Sequence, residues 1–401
     1  MKVNPADRTS SVQEYYFSQK LRQIEQMRRA GADIINLGIG SPDQPPSEST
    51  INRLKEEAEK PTSHGYQSYT GIPALRKAFA EWYKKYFNVE LNPDNEILPL
   101  MGSKEGIMHI SMAFVNPGDE VLVPDPGYPT YSSVTRLIGG KIKYYGLEEK
   151  KGWLPDLKKL ENTNLSKVKI MWINYPHMPT GTKGSLNLFE KLVAFAQKHN
   201  FLLCNDNPYS FILNNDYISL LSIDGARDIA LELNSLSKSH NMAGWRIGMV
   251  AGHREYIKSI LKVKSNMDSG MFLALQSAAV EALNNPSSWY DEVNSVYIRR
   301  RKIVEEIMNI LRCRFDKNQS GLFVWGRIPE EIISCELYIE ELLTRAHVFI
   351  TPGFIFGSNG DRYIRISLCA DENRLLEARK RIESYLADNT ISKLPDDLIT
   401  R

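Results

Sequence analysis

Short apolar runs alternate with helical patterns through the middle of this chain, and that rhythm restricts the fold more than any other feature. Glu120-Val121-Leu122-Val123-Pro124 and Val168-Lys169-Ile170-Met171-Trp172-Ile173-Asn174 read as strands. Leu186 to His199 places apolar residues at Leu188, Leu192, Phe195 and Ala196, a helical period, with Ser185 able to cap its start and Asn200 its end. Phe201-Leu202-Leu203-Cys204 follows as a buried strand. Strand, helix, strand in this order implies βαβ units and a mostly parallel sheet between helical layers, a three-layer α/β/α architecture. Ligands of such sheets bind where strands end and loops begin.

Beyond residue 289 the pattern changes. Charged helical stretches (Tyr290 to Leu311, Glu372 to Leu386) flank two strand-like runs, Leu322–Trp325 and Tyr363–Leu368, as in a smaller α+β lobe. Ser11 to Ala30 reads as an amphipathic helix that packs on this lobe. The expected division is a large domain over 46–288 and a small one built from 1–45 and 289–401.

Composition removes several classes of function. Fifty basic residues against 48 acidic ones give a formal net charge of +2, without the dense basic patch of a nucleic-acid binder. No apolar run approaches the ~18 residues that a membrane span needs. The amino terminus lacks the apolar stretch of a secretory signal. Cys204, Cys313, Cys335 and Cys369 lie far apart without metal-ligand spacing, so free thiols are expected and no metal. A soluble cytoplasmic protein is the expectation.

The stretch Ser235-Leu236-Ser237-Lys238 leads to Gly244-Trp245-Arg246-Ile247-Gly248, setting one lysine among small hydroxyls with an arginine eight positions on. A Schiff-base lysine must lose its proton readily, and burial and cationic neighbours both help. Were the carbonyl that of pyridoxal phosphate, Ser235, Ser237 and Arg246 are placed to anchor its phosphate. Taken alone, Lys238 is most simply a solvated charge. Four further pieces sit at strand–loop junctions. Gly102-Ser103-Lys104-Glu105-Gly106 feeds a helix expected near Ile107, offering N–H groups to a phosphate or a plain capped turn. Pro99 before it points to a late strand start or a bulge. Tyr128 in Asp125-Pro126-Gly127-Tyr128 can lie against a ligand ring or merely pack. Asp206, following a buried run, is costly without a cation; a protonated pyridine nitrogen would serve, with Tyr209 donating to the same ring, or the residue is simply a helix-cap or turn aspartate. Arg365 in Tyr363-Ile364-Arg365-Ile366-Ser367 can grip a carboxylate with two bonds, or form an edge-strand salt bridge.

In order and separation, these pieces resemble the class I/II aminotransferases of the fold-type-I pyridoxal-phosphate superfamily over residues 35–370. Ser235-Leu236-Ser237-Lys238 with Gly244-Trp245-Arg246-Ile247-Gly248 is the most specific match. Ile35-Asn36-Leu37-Gly38-Ile39-Gly40-Ser41-Pro42-Asp43, Tyr66-Gln67-Ser68-Tyr69-Thr70-Gly71 and Asn174-Tyr175-Pro176-His177-Met178-Pro179-Thr180-Gly181 add to it. Within the family, Gly102–Gly106 and Lys262–Gly270 are most similar to the LL-diaminopimelate or alanine-type branch. The resemblance implies pyridoxal 5'-phosphate held by Lys238 as an internal aldimine, with the same lysine later moving protons at the substrate Cα. Asp206 would keep the pyridine nitrogen protonated, Tyr209 would bond the ring oxygen and Tyr128 would stack on the ring. Ser103, the Lys104 backbone, Ser235, Ser237 and Arg246 would bind the phosphate, with Asn174 also among the cofactor-binding residues. Arg365 would clamp the substrate α-carboxylate, with Gly40 nearby. Tyr66 would reach the phosphate of a neighbouring subunit, which implies a homodimer with shared sites. The reaction implied is ping-pong transfer of an amino group from an L-amino acid to a 2-oxo acid such as 2-oxoglutarate or pyruvate.

Two positions depart from the family. Met178 stands where an asparagine that donates to the cofactor is usual, and methionine cannot donate. Asn174 is not assumed to substitute for it. Loss of that donor makes the aldimine harder to deprotonate, so a Met178→Asn variant is expected to titrate at lower pH in a spectral titration. Phe354 stands where a small residue is common, either narrowing the pocket or filling a gap in the small lobe. Lys262 and Lys264 are either near the neighbouring site or solvated. A β-lyase uses the same cofactor contacts, so the sequence separates it poorly from a transferase. A non-catalytic cofactor-binding regulator is disfavoured, because such proteins carry a basic DNA-binding module ahead of this region.

Overall fold

The structure, a computed structural model, describes residues 3–389 and resolves the alternation above into strands and covering helices. The strands begin with β1 (Ile35–Asn36), β2 (Ile97–Leu100), β3 (Glu120–Asp125), β4 (Lys141–Gly146), β5 (Val168–Ile173), β6 (Leu202–Asp206) and β7 (Ala230–Ser235). They continue with β8 (Gly248–Gly252), β9 (Arg314–Phe315), β10 (Phe323–Arg327), β11 (Val348–Phe349), β12 (Thr351–Pro352) and β13 (Tyr363–Ser367). Seven of them form one sheet in the order β2-β8-β7-β6-β5-β3-β4. Only β8 runs against its neighbours; the other pairings are parallel. Separate apolar clusters fill the two faces of this sheet, one around Phe79, Trp82 and Phe189, the other around Ile107, Trp172 and Val250.

The helix Leu186–His199 shows how local sequence fixes these units. Ser185 Oγ accepts the Leu188 N–H at 3.2 Å, and Asn200 turns left-handed at φ 53° to close the other end. Its buried stripe of Leu188, Phe189, Leu192, Val193, Phe195 and Ala196 joins the first cluster. Pro99 neither delays β2 nor bulges it. The strand runs Ile97–Leu100 in unbroken register with β8, because it lies at the sheet edge, where one side needs no donor. The helix after Gly102 starts at Ser103 rather than near Ile107.

A second, antiparallel sheet in the order β12-β13-β10-β9 and the parallel pair β1–β11 build the smaller lobe. Its core takes Phe17 and Ile24 from the amino-terminal helix, which runs Tyr16–Arg29 rather than from Ser11. No side chain caps that helix at Tyr15; Tyr15 and Phe17 turn inward instead. Of the small domain expected over 1–45 and 289–401, residues 1–2 and 390–401 lie outside the described residues. Among those described, no helix is long and apolar enough to cross a membrane, and all four cysteines are buried and free.

Candidate active site

Because β2, β3, β5, β6 and β7 run the same way, they all end at one edge of the sheet. There the chain delivers Ser103, Asp125, Asn174, Asp206 and Ser235. A cavity of about 310 Å³ opens at this edge and continues to the small lobe. Every expected site residue except Tyr66 lines it.

Asp206, the last residue of β6, lies deepest. It is 4% exposed; its Oδ2 accepts from Tyr131 at 3.0 Å, while its Oδ1 has no partner. Burial pushes its pKa up to about 6 against the opposing pull of the Tyr131 and Ser103 hydroxyls. Tyr131 is itself fixed by stacking on Trp172, with ring centres 5.1 Å apart and planes 4° from parallel. A buried carboxylate with one unmet oxygen calls for a cation or an N–H donor, and a protonated pyridine ring supplies both.

One wall is shaped for an anion. Ser103 opens the helix Ser103–Phe114, whose first N–H groups are free of intrahelical partners. Ser235 Oγ and Ser237 Oγ lie 2.9 Å apart beside it, and Arg246 closes the cup. Gly102 is required here: its φ is +86°, and a Cβ would fall 2.2 Å from Arg246 Nη2. Gly102→Ala is therefore expected to displace Arg246 and weaken cofactor binding at least ~10-fold, read by equilibrium titration of the cofactor-free protein.

Lys238, which follows Ser237 on the short helix Leu236–Ser239, lines the same cavity and donates to the Gly40 carbonyl. Burial lowers its pKa; Cys369 opposes the shift, and Arg365 and Arg246 reinforce it. Arg365 comes from the middle of β13, which is not an edge strand, and among the described residues it has no carboxylate partner, so the expected edge-strand salt bridge is not found there. Its Nη2 donates to the Gly38 carbonyl at 2.9 Å and its Nη1 meets Met178 Sδ at 3.1 Å. Its guanidinium lies 3.7 Å from the Phe323 ring centre, and Nε is unpartnered. Burial lowers its pKa to about 10, so it stays cationic at neutral pH. Tyr209 and Tyr128 line the remaining sides, Tyr128 edge-on to Tyr131.

Other expectations meet a different outcome. Asn174 lines the cavity, yet its amide donates to the Asp206 carbonyl and accepts the Met178 N–H at 2.7 Å, which occupies both ends on backbone. Tyr66 is 94% exposed and away from this chain's cavity. Lys264 is not solvated: it is buried in an ion pair with Asp268 at 2.8 Å, whereas Lys262 is exposed. Phe354 packs edge-to-face on Tyr16 in the small lobe, outside the cavity. Sequence reading missed Tyr15, Phe17, Tyr131, Phe323 and Phe356, all cavity-lining. Tyr131 had a signal: it follows Tyr128 by three positions on a helix opened by Pro129, so the two share a face. Phe323 had one too, since the residue two back from the cross-strand partner of Arg365 is its diagonal neighbour.

An amine of lowered pKa opposite a carboxylate that wants a cation suits the chemistry of a pyridoxal-phosphate enzyme. Comparison with known proteins narrows this to one family. The sequence model described as aminotransferase class I and II matches residues 32–382, and the chain belongs to that family of pyridoxal-phosphate-dependent enzymes. An LL-diaminopimelate aminotransferase of Oleidesulfovibrio alaskensis is 42% identical over 382 residues, covering 94% of this chain and 98% of the relative. Its counterpart from Dehalococcoides mccartyi is 40% identical over 380 residues with the same coverage. Among solved structures, apo-BacF from Bacillus subtilis is similar at TM-score 0.92 and 34% identity, over 96% of this chain and 98% of that one. The chain is thus an aminotransferase, passing an amino group from an amino acid to a 2-oxo acid.

Proposed function

We propose that Lys238 carries the cofactor and moves the substrate α-proton, with Asp206 and Arg365 as its two fixed partners. The observation that carries this reading is one cavity holding a lysine of lowered pKa, a carboxylate with a bare oxygen and a guanidinium without a carboxylate. Bound pyridoxal phosphate supplies an electron sink for the bonds at the substrate Cα. Asp206 holds the proton on the ring nitrogen, and Tyr131 holds Asp206. Ser103, Ser235, Ser237, Arg246 and the Lys104 N–H bind the phosphate, Tyr128 covers the ring and Tyr209 donates to its oxygen. Arg365 binds the substrate α-carboxylate, which places the Cα proton near Lys238. Asn174 fixes the loop that carries Met178. The Lys238 pKa, lowered chiefly by burial, increases the neutral fraction able to take that proton.

Three finer proposals follow. The donor proposed is LL-diaminopimelate, for which the relatives are named. The side chain of Lys104 is a cavity cation with no role in the scheme above, and suits its distal carboxylate. A homodimer is also proposed: Tyr66, Tyr69 and Met267 are exposed at 94%, 44% and 58%, and the loops bearing Tyr66 and Met267 touch through Gly270 and Gln67. The buried free thiols suit the cytoplasm, the location proposed. The test is the visible spectrum of the loaded enzyme against LL-diaminopimelate and a panel of L-amino acids. Conversion by LL-diaminopimelate with equimolar oxo acid supports the donor assignment, and conversion by other amino acids alone removes it. Ammonia release without conversion overturns transfer in favour of β-elimination.

A further inference from the structure

Arg300 lies outside the cavity. It is buried on the helix Ser288–Ile310 and forks onto Asp43, Nη1 to Oδ1 at 2.6 Å and Nη2 to Oδ2 at 2.7 Å. Nη1 also donates to the Leu368 carbonyl at 3.1 Å, just beyond β13. Asp43 belongs to an irregular strap, residues 37–47, which joins β1 to the helix Glu48–Ala58.

The carbonyls of this strap meet the groups of the site. That of Gly38 accepts from Arg365 Nη2 and from Thr351 Oγ1, both at 2.9 Å. That of Gly40 accepts from Lys238 Nζ, and that of Pro45 from Asn241 Nδ2 at 3.2 Å. A Cβ on Gly40 would lie 2.2 Å from the Phe323 ring, the ring on which the Arg365 guanidinium rests. The strap is therefore packed closely against the site.

We propose that Arg300 is a positioning residue for amino-acid binding: its fork on Asp43 fixes the strap so that Gly38 and Gly40 hold Arg365 and Lys238 in place. Stability alone gives a poor reason for this pair. Arg300 is buried while the Asp43 side chain is 31% exposed, so solvent weakens the attraction and the cost of burying the guanidinium is only partly offset. A bidentate fork supplies direction, and here a third bond extends that direction to the end of the strand that carries Arg365. Strap and carboxylate clamp are thereby tied to one guanidinium. The proposal rests on the roles assigned above to Lys238 and Arg365.

The probe is 2-methylalanine, an amino acid whose carboxylate and amine are intact but which has no α-proton to lose. Its dissociation constant, read from the visible spectrum of the loaded enzyme, reports binding without turnover. Asp43→Asn keeps shape and removes charge; Arg300→Lys keeps charge and removes the fork. Both are expected to weaken 2-methylalanine about 10-fold or more, the scale of a charged hydrogen bond. KM for the amino donor should rise with kcat less affected, and cofactor affinity should stay within about 2-fold. Asp33→Asn, which breaks an exposed pair with Arg374 and Arg381, serves as control and should leave all three unchanged. Unchanged 2-methylalanine binding in folded Asp43→Asn and Arg300→Lys enzymes overturns the positioning role. So does a loss that only tracks lost cofactor. If the wild-type enzyme shows no response to 2-methylalanine, the site assignment itself fails and the proposal falls with it.

Discussion

Lys238→Ala is expected to abolish covalent cofactor attachment and to lower turnover by at least ~10⁴-fold, the upper range for a positioned proton-transfer group. The expectation follows from where the amine sits. Burial disfavours its charge, and Arg365 and Arg246 add repulsion, so a larger fraction is neutral and able to take a proton than for an ordinary lysine. Lys238→Arg should fail as badly, because a guanidinium does not deprotonate in this range. The check is mass spectrometry after borohydride reduction of the loaded protein. The wild type should gain one cofactor mass on the peptide holding Lys238, and the alanine variant none. Small primary amines should restore part of the activity, since truncation leaves a space beside the Gly40 carbonyl. A cofactor mass that moves to Lys104 with activity retained would reassign the nucleophile.

The difference between what the sequence revealed and what it withheld has a physical pattern. Strands β3, β5 and β6 were readable because they are almost wholly buried, and the helix Leu186–His199 because it is capped at both ends, so each signal is local. Ser185 and Asn200 bound the helix Leu186–His199 in the structure as the sequence suggests. Asp206 and Arg365 were legible for a related reason: an ionisable residue at the end of, or within, an apolar run has few explanations. Pro99 misled because its tolerance depends on β2 lying at a sheet edge, a fact of pairing that no local stretch contains. The sequence leaves Lys264 either near a neighbouring site or solvated; its burial in a pair with Asp268 is a fact of packing that no local stretch contains. Tyr15 and Phe17 escaped notice for the opposite reason. They stand at the start of an amphipathic helix whose apolar stripe the small lobe explains by itself, while the same two residues also wall the cavity.

Asp206→Asn separates the cost of the site from its use. In the cofactor-free protein this carboxyl titrates near 6, above its ordinary 3.8, because burial penalises the charged form. Between about pH 4 and 6 the folded chain therefore binds more protons here than the unfolded chain, and stability falls as pH rises through that window. The loss reaches about 3 kcal/mol above pH 6, two pKa units at 1.36 kcal/mol each. Asp206→Asn carries no such charge, so its cofactor-free form should lack this slope and match or exceed the wild type in urea denaturation at pH 7.5. Loaded with cofactor, the order should reverse. On the proposed roles a ring cation would satisfy the carboxylate of the wild type, whose Oδ1 lacks a partner, whereas an amide would not keep the ring nitrogen protonated. Turnover of the variant should drop ~10³-fold, and its cofactor should dissociate more readily. An identical pH slope in both cofactor-free proteins would show that some other buried acid sets it. Near-wild-type turnover in the variant would remove Asp206 from the chemistry altogether.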